Sequence, residues 1–215
     1  MDTELGLRER KKLATRHKIL QAALELFEKR GFDDVSVAEI AEAAEVSKVT
    51  VFNYFSTKEN IISDVGADHI REYADEVRAR KPGRTPLDAI RDNHLRGLEK
   101  REPHTGLSDD PFVLRIHKVV RDNPPLMAAF MKNGVLAEHA LVEALAEESA
   151  SEFSAQVMAS QLMGVRHVLC RQNIHRILSG TSADDSYEEA VGEAKHAFKL
   201  LERGFGRLMK KRDES

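Results

Sequence analysis

The sequence predicts an all-α protein, with a small three-helix unit followed by a larger helical domain and about nine helices in total. Three observations carry this expectation. Apolar residues recur at three- and four-residue spacing through long segments, as the buried face of a helix requires. Glycine (12) and proline (6) are sparse enough among 215 residues for such segments to run unbroken. No segment reads as a convincing strand, and no internal repeat is visible.

The first helix runs from about Leu7 to Lys29, with Ile19, Ala22, Ala23, Leu26 and Phe27 on one apolar face. Gly31 follows Arg30 and suits a C-terminal stop, where positive φ is usually needed. The beginning of this helix is basic: Arg8, Arg10, Lys11, Lys12, Arg16 and Lys18 stand against one acid, Glu9. The chain as a whole carries a formal charge of −3, so a polyanionic partner is not announced globally. A dense basic segment nevertheless engages phosphates on an otherwise acidic protein.

Ser36-Val37-Ala38-Glu39 has the spacing of a capping box, in which hydroxyl and carboxylate each serve the other residue's amide. A short helix, Val37 to Ala44, follows. Ser47 caps a third, Lys48 to Tyr54 or Phe55, and Thr57 caps a fourth that runs to about Arg80. Lys81-Pro82-Gly83-Arg84-Thr85-Pro86 is a break. Helices then read at roughly 87–100, 112–122, 125–148, 152–179 and 186–211. Glu102 to Asp110, with Pro103, Gly106 and three acids, reads as a mobile loop. Pro124-Pro125 opens a helix where a missing amide hydrogen costs little. The domain boundary falls after the third helix, giving 1–58 and 59–215.

Hydrophobic residues make up 41% and charged residues 32%, the balance of a folded soluble domain and not of a disordered chain. The single cysteine, Cys170, excludes an internal disulfide and a cysteine-based zinc site. No apolar run is long enough for a bilayer and no signal-peptide stretch opens the chain, so the expected location is the cytoplasm. Nucleophile elbow, phosphate loop, metal motif and paired-acid signature are all missing, so no catalytic role, metal or cofactor is expected. Nine histidines include no H-x-x-x-H or H-E-x-x-H spacing.

The informative segment is Val37 to Lys58. Ile40, Ala44, Val46 and Val51 are spaced to pack two short helices at a steep angle, joined by a three- or four-residue turn. That is the arrangement of a helix-turn-helix, whose second helix enters the major groove. Val51 and Phe55 lie one turn apart and face inward, leaving Lys48, Val49, Thr50, Phe52, Asn53 and Tyr54 outward or flanking. Lys48 and Asn53 suit base edges, and the methyls of Val49 and Thr50 suit thymine methyls. Tyr54, Thr50 and Lys58 suit phosphates. Ser36, Val37 and Ser47 complete the expected DNA-binding set.

From about Arg16 to Ile62 the chain resembles the TetR family of bacterial transcriptional regulators. The resemblance rests on I-L-x-A-A-x-x-L-F, then G-F, then S-V-x-E-I-A-x-x-A-x-V-S, then T-V-F-N-Y-F-x-x-K. It implies an N-terminal DNA-binding domain, an all-α C-terminal domain with an inducer pocket, and a homodimer through the last two helices, about 152–179 and 186–211. It further implies double-stranded DNA with a palindromic operator and an unidentified small-molecule inducer as partners. A repressor is the leading expectation; an activator of the same fold, or a helical carrier or enzyme without a DNA role, are the alternatives. Two positions depart from the family pattern. Glu45 stands where the turn usually has glycine, so either the turn tolerates a non-glycine residue at positive φ or its geometry differs. Phe52 stands where tyrosine is usual, which removes a phenolic hydrogen bond.

Beyond Ile62 the resemblance is one of architecture. Candidate pocket residues, chosen as a mostly apolar set with a few polar groups, are His94, Leu98, Phe112, Ile116, Met127, Phe130, Met131, Met163, Arg166, His167 and Cys170. The fourth helix, expected to be continuous from Thr57 to Arg80, would carry the signal between pocket and DNA.

Overall fold

A computed structural model describes residues 6–149 and 151–205. Among these residues every regular element is helical. They are α1 (Leu7–Arg30), α2 (Val37–Ala43), α3 (Lys48–Tyr54), α4 (Asn60–Ser63), α5 (Glu72–Ala79) and α6 (Pro86–Glu99). The series continues with α7 (Pro111–Arg121), α8 (Pro124–Ala146), α9 (Glu152–Leu178) and α10 (Tyr187–Phe205). Two 3-10 segments interrupt it, Asp64–His69 and Pro103–Thr105. Positions 206–211 of the last predicted helix lie outside the described residues. No helix among the described residues is long and apolar enough to cross a membrane.

The chain forms two units: residues up to Val65 with Arg115–Phe130, and Gly66–Leu114 with the chain from Met131 onward. In the first, α1 packs on α2 and α4, and α2 packs on α3. Ile19, Ala23, Leu24, Phe27, Ile40, Ala44, Val51 and Phe55 are all buried to 2% exposure or less. Phe27 and Phe32 meet edge to face at 5.1 Å, a favourable aromatic geometry. Arg115 of α7 grips Glu28 of α1 with two bonds, Nε to Oε1 at 2.8 Å and Nη2 to Oε2 at 2.6 Å. That bidentate pair ties the 115–130 segment into the first unit.

In the second unit α6 is central, flanked by α5 and α10, and α10 also packs on α9. Thr85 caps α6 in a capping box with Asp88, and Pro86 opens its first turn. The core includes Tyr73, Val77, Ile90, Leu98, Leu107, Leu141, Leu162 and Phe198.

Two predicted elements take a different form. The long fourth helix is instead α4, a 3-10 segment and α5. The interruption, Asp64-Val-Gly-Ala-Asp-His69, is rich in residues with poor helix propensity, and Arg16 Nη2 supplies a donor to the Asp64 carbonyl at 3.1 Å where α4 ends. The expected mobile loop after α6 is packed: Thr105, Gly106, Leu107 and Ser108 are buried, and Asn173 Nδ2 of α9 donates to the Thr105 carbonyl at 2.9 Å.

Candidate nucleic-acid interface

The capping box forms as its spacing requires. The Glu39 amide donates to Ser36 Oγ at 3.3 Å, and Glu39 Oε2 accepts from the Ser36 amide at 2.8 Å. Arg30 of α1 adds a 2.6 Å ion pair to Glu39. The Ser36 amide, its hydroxyl and then Arg30 hold the Glu39 carboxyl down at about 2.

The turn between α2 and α3 closes through the Glu45 amide on the Glu42 carbonyl and the Val46 amide on the Ala41 carbonyl, each at 2.9 Å. Glu45 has φ 50°, so the left-handed conformation expected of this position is present on a residue with a Cβ. The Lys18 ammonium pairs with its carboxylate, and that hydrogen bond holds the Glu45 carboxyl below its usual range. Ser47 Oγ then accepts from the Thr50 amide at 3.0 Å and lies 2.8 Å from the Thr50 hydroxyl. Both hydroxyls therefore serve the start of α3 first.

Helical spacing sorts α3 cleanly. Val51 and Phe55 are 1% and 2% exposed, whereas Val49 is 69% and Phe52 47% exposed. Lys48 and Asn53 are exposed as well, and Thr50 and Tyr54 are half-buried. The Lys48 ammonium sits 6.0 Å from the Phe52 ring centre. Two large apolar side chains beside a cation and a carboxamide make a surface able to meet both base edges and thymine methyls.

Three basic residues have a different role from a free phosphate contact. Lys58 Nζ donates to the carbonyls of Phe32 (2.8 Å) and Val35 (3.0 Å) and lies 3.9 Å from the Phe32 ring centre. It therefore secures the α1–α2 connection with two of its three hydrogens. Arg16 is turned onto the Asp64 carbonyl and stands 5.5 Å from the Phe55 ring centre. Lys18 is held by Glu45. The exposed basic residues at the start of α1 are Arg8, Arg10, Lys11 and Lys12.

The candidate pocket residues are divided between the two units. Ile116, Met127 and Phe130 belong to the first unit, and His94, Leu98, Phe112, Met131, Met163, Arg166, His167 and Cys170 to the second. His94 and Leu98 are core residues, whereas Met131 is 63% and Met127 41% exposed, and His167 is exposed. Only Met163 and Arg166 line the cleft of the second unit, together with His69, Ile70, Glu72, Tyr73 and Ala137. Burial pushes the Cys170 thiol up, which disfavours the reactive thiolate. Hydrophobic spacing marks a residue as inward-facing but does not separate core from pocket wall. Sequence reasoning therefore passed over His69, Glu72 and Tyr73, which sit on the broken fourth helix.

Residues 19–65 match the family described as bacterial regulatory proteins, tetR family. The chain is 28% identical over 152 residues to the HTH-type transcriptional regulator TcmR of Streptomyces glaucescens, a match covering 66% of this chain and 63% of TcmR. It is 39% identical over 62 residues to LuxR of Vibrio harveyi, covering 29% of this chain and 30% of LuxR. The alignments thus span less than two thirds of either relative. Among solved structures, NalD of Pseudomonas aeruginosa superposes with a TM-score of 0.55 at 19% identity, covering 86% of this chain and 96% of NalD. A regulator from Mesorhizobium loti gives 0.54 at 18% identity, covering 89% and 96%. At those identities the structures establish the fold. The matched segment spans α2, its turn and α3, with the capping box and the buried Val51 and Phe55 in place, and this part of the chain is similar to the tetR family of bacterial regulatory proteins.

Proposed function

We propose that the protein is a cytoplasmic, sequence-specific DNA-binding transcriptional regulator, a repressor released from its operator when a small molecule binds the second unit. The observation that carries this reading is the outward face of α3, where Lys48, Val49, Phe52 and Asn53 are exposed while Val51 and Phe55 anchor the helix. In a major groove Lys48 and Asn53 hydrogen-bond base edges, and Val49 and Thr50 meet thymine methyls. Ser36, Val37, Ser47 and Tyr54 take flanking phosphates, and the exposed cations of early α1 add sequence-independent attraction. Lys58 contributes chiefly by holding the α1–α2 connection in place.

A homodimer supplies two such helices and requires a palindromic operator. Support for association through α9 and α10 comes from Val168 (47% exposed) and Leu200 (54%), and from Gly164 and Gly192, which have open space around them. For the effector, the cleft beside Met163 and Arg166 holds a cavity of about 10 Å³, room for roughly one water. Small-molecule pockets measure roughly 300–1,000 Å³, so effector binding requires this cleft to open.

Selection of the purified full chain against a random duplex library tests the proposal. An enriched palindrome is expected, with affinity falling steeply as salt rises. Lys48→Ala and Asn53→Ala should each weaken the selected site by about 1–3 kcal/mol and relax base preference at one position per half-site. If no motif is enriched, or if both variants bind the selected duplex as wild type does, the assignment of α3 is wrong.

A further inference from the structure

The second unit contains a donor cluster that no sequence motif announces. His69 lies at the end of the 3-10 segment, Glu72 opens α5, and His104 lies in the 3-10 turn after α6. One ligating atom from each falls within 4.8 Å of the others. His69 Nδ1 is 2.8 Å from Glu72 Oε2, and His104 Nε2 is 3.8 Å from Glu72 Oε1. The two imidazoles lie 4.5 Å apart, centre to centre.

A His69–Glu72 ion pair accounts for two of these groups but not for the third. The His104 side chain is 3% exposed, and neither of its ring nitrogens has a hydrogen-bond partner. A buried ring with two unsatisfied nitrogens is costly, yet the fold makes room for it. A Cβ on Gly97 of α6 would stand 3.0 Å from His104 Nε2 and 3.2 Å from its Cε1. The bare backbone of α6 at that position leaves the ring its room.

We propose that His69, Glu72 and His104 bind a divalent first-row transition-metal ion, with zinc as the reference case. Two imidazole nitrogens and one carboxylate oxygen form a borderline donor set suited to zinc, cobalt or nickel and poorly suited to magnesium or calcium. Metal–ligand distances near 2.0–2.2 Å bring such donors within roughly 3–3.5 Å of one another, so the three side chains must close slightly. Coordination through Nε2 would leave the His104 Nδ1–H facing Glu102 Oε2, 3.4 Å away. That is the carboxylate–histidine–metal arrangement by which outer groups fix a ligand's tautomer. Asn93 Nδ2 already donates to Glu72 Oε1 at 2.9 Å and orients that carboxylate. The open side is the cleft that His69 and Glu72 line with Arg166. This site belongs to the second unit alone and stands whether or not the protein binds DNA.

The test is titration of chelator-treated full-length protein with Co2+ and Zn2+, following the visible cobalt spectrum, the heat of binding and the melting temperature. One ion per chain is expected, with a rise in melting temperature. His69→Ala, His104→Ala and Glu72→Gln should each weaken zinc binding about 10–100-fold, while His139→Ala, at an exposed position of α8, leaves it unchanged. X-ray absorption of the wild-type cobalt complex should report two imidazoles with oxygen donors, a readout that holds even if a variant fails to fold. Failure of the wild type to bind either ion, a different ligand set, or affinity that depends on His139 and not on His104 would overturn the proposal.

Discussion

Lys58 demonstrates how one residue can satisfy a motif and yet do different work. Its position four residues after Tyr54 is readable from the sequence, and a phosphate contact is the natural expectation for a lysine there. What decides its role is long-range: the Phe32 and Val35 carbonyls arrive from 26 and 23 residues earlier in the chain, and local spacing cannot reveal them. Replacing Lys58 with methionine keeps the apolar stem over Phe32 but takes the charged donor from both carbonyls, leaving the Phe32 carbonyl only the Val35 amide at 3.4 Å. Each lost bond to a charged group costs about 1–3 kcal/mol, so urea denaturation should register a loss of about 2–6 kcal/mol for the two. If stability is unchanged and only DNA affinity falls, Lys58 is a phosphate ligand after all. Glu45 was legible in a way Lys58 was not. A family turn that usually has glycine raises the question of positive φ at this position, and the observed 50° shows that the turn keeps that conformation. The compensating pair with Lys18 is again a tertiary contact.

Element by element, the short helices around the turn were the most readable, because capping boxes and apolar spacing are local signals. Ser36 with Glu39 and Ser47 with Thr50 mark the starts of α2 and α3 by chemistry that acts over three residues. The fourth helix shows the opposite. Its apolar periodicity continues through Val65 and Ile70, so the pattern suggests one helix. The low propensity of Asp64, Gly66, Asp68 and His69 was the available counter-signal. The segment after α6 was misjudged for a related reason: proline, glycine and acids signal a turn but do not say whether the turn is packed. Gly106 is the test of that packing. It has φ +77°, and a Cβ there would stand 2.4 Å from the Cys170 carbonyl oxygen of α9. Gly106→Ala must therefore both strain the backbone, at about 1–2 kcal/mol, and displace a neighbouring backbone, at about 1–3 kcal/mol. Gly83→Ala is the control, since it shares positive φ (+79°) but has nothing within 4 Å. Thermal unfolding should place the Gly106 variant well below the Gly83 variant. Equal losses would mean that the 102–110 segment yields freely.

For the whole molecule, composition and periodicity were enough to predict an all-helical chain, but not which segments share a unit. Residues 115–130 pack with the first unit although they follow the second unit's α6 by more than a dozen positions. One tie is the pair Arg115 with Glu28, which no periodicity encodes. The same global burial sets how stability should respond to acid. His117 in the first unit and His94 in the second each have a buried Nε2 without a partner. Burial pushes the His117 imidazole below its usual range. Burial first, then the neighbouring His104 and Arg166, takes His94 down to about 4. For groups whose pKa is lowered on folding, the stabilisation is complete above the unfolded value near 6.5 and is lost as pH falls towards the folded value. Each such histidine steepens the loss by up to about 1.4 kcal/mol per pH unit in that window. Stability of chelator-treated protein should therefore decline from about pH 6.5 downward, well before ordinary carboxylates titrate near 4. His117→Gln removes one titrating ring and should flatten the decline between about pH 6.5 and 5, whatever its effect at neutral pH. An unchanged slope in that variant would mean that the His117 ring titrates alike in the folded and unfolded chain.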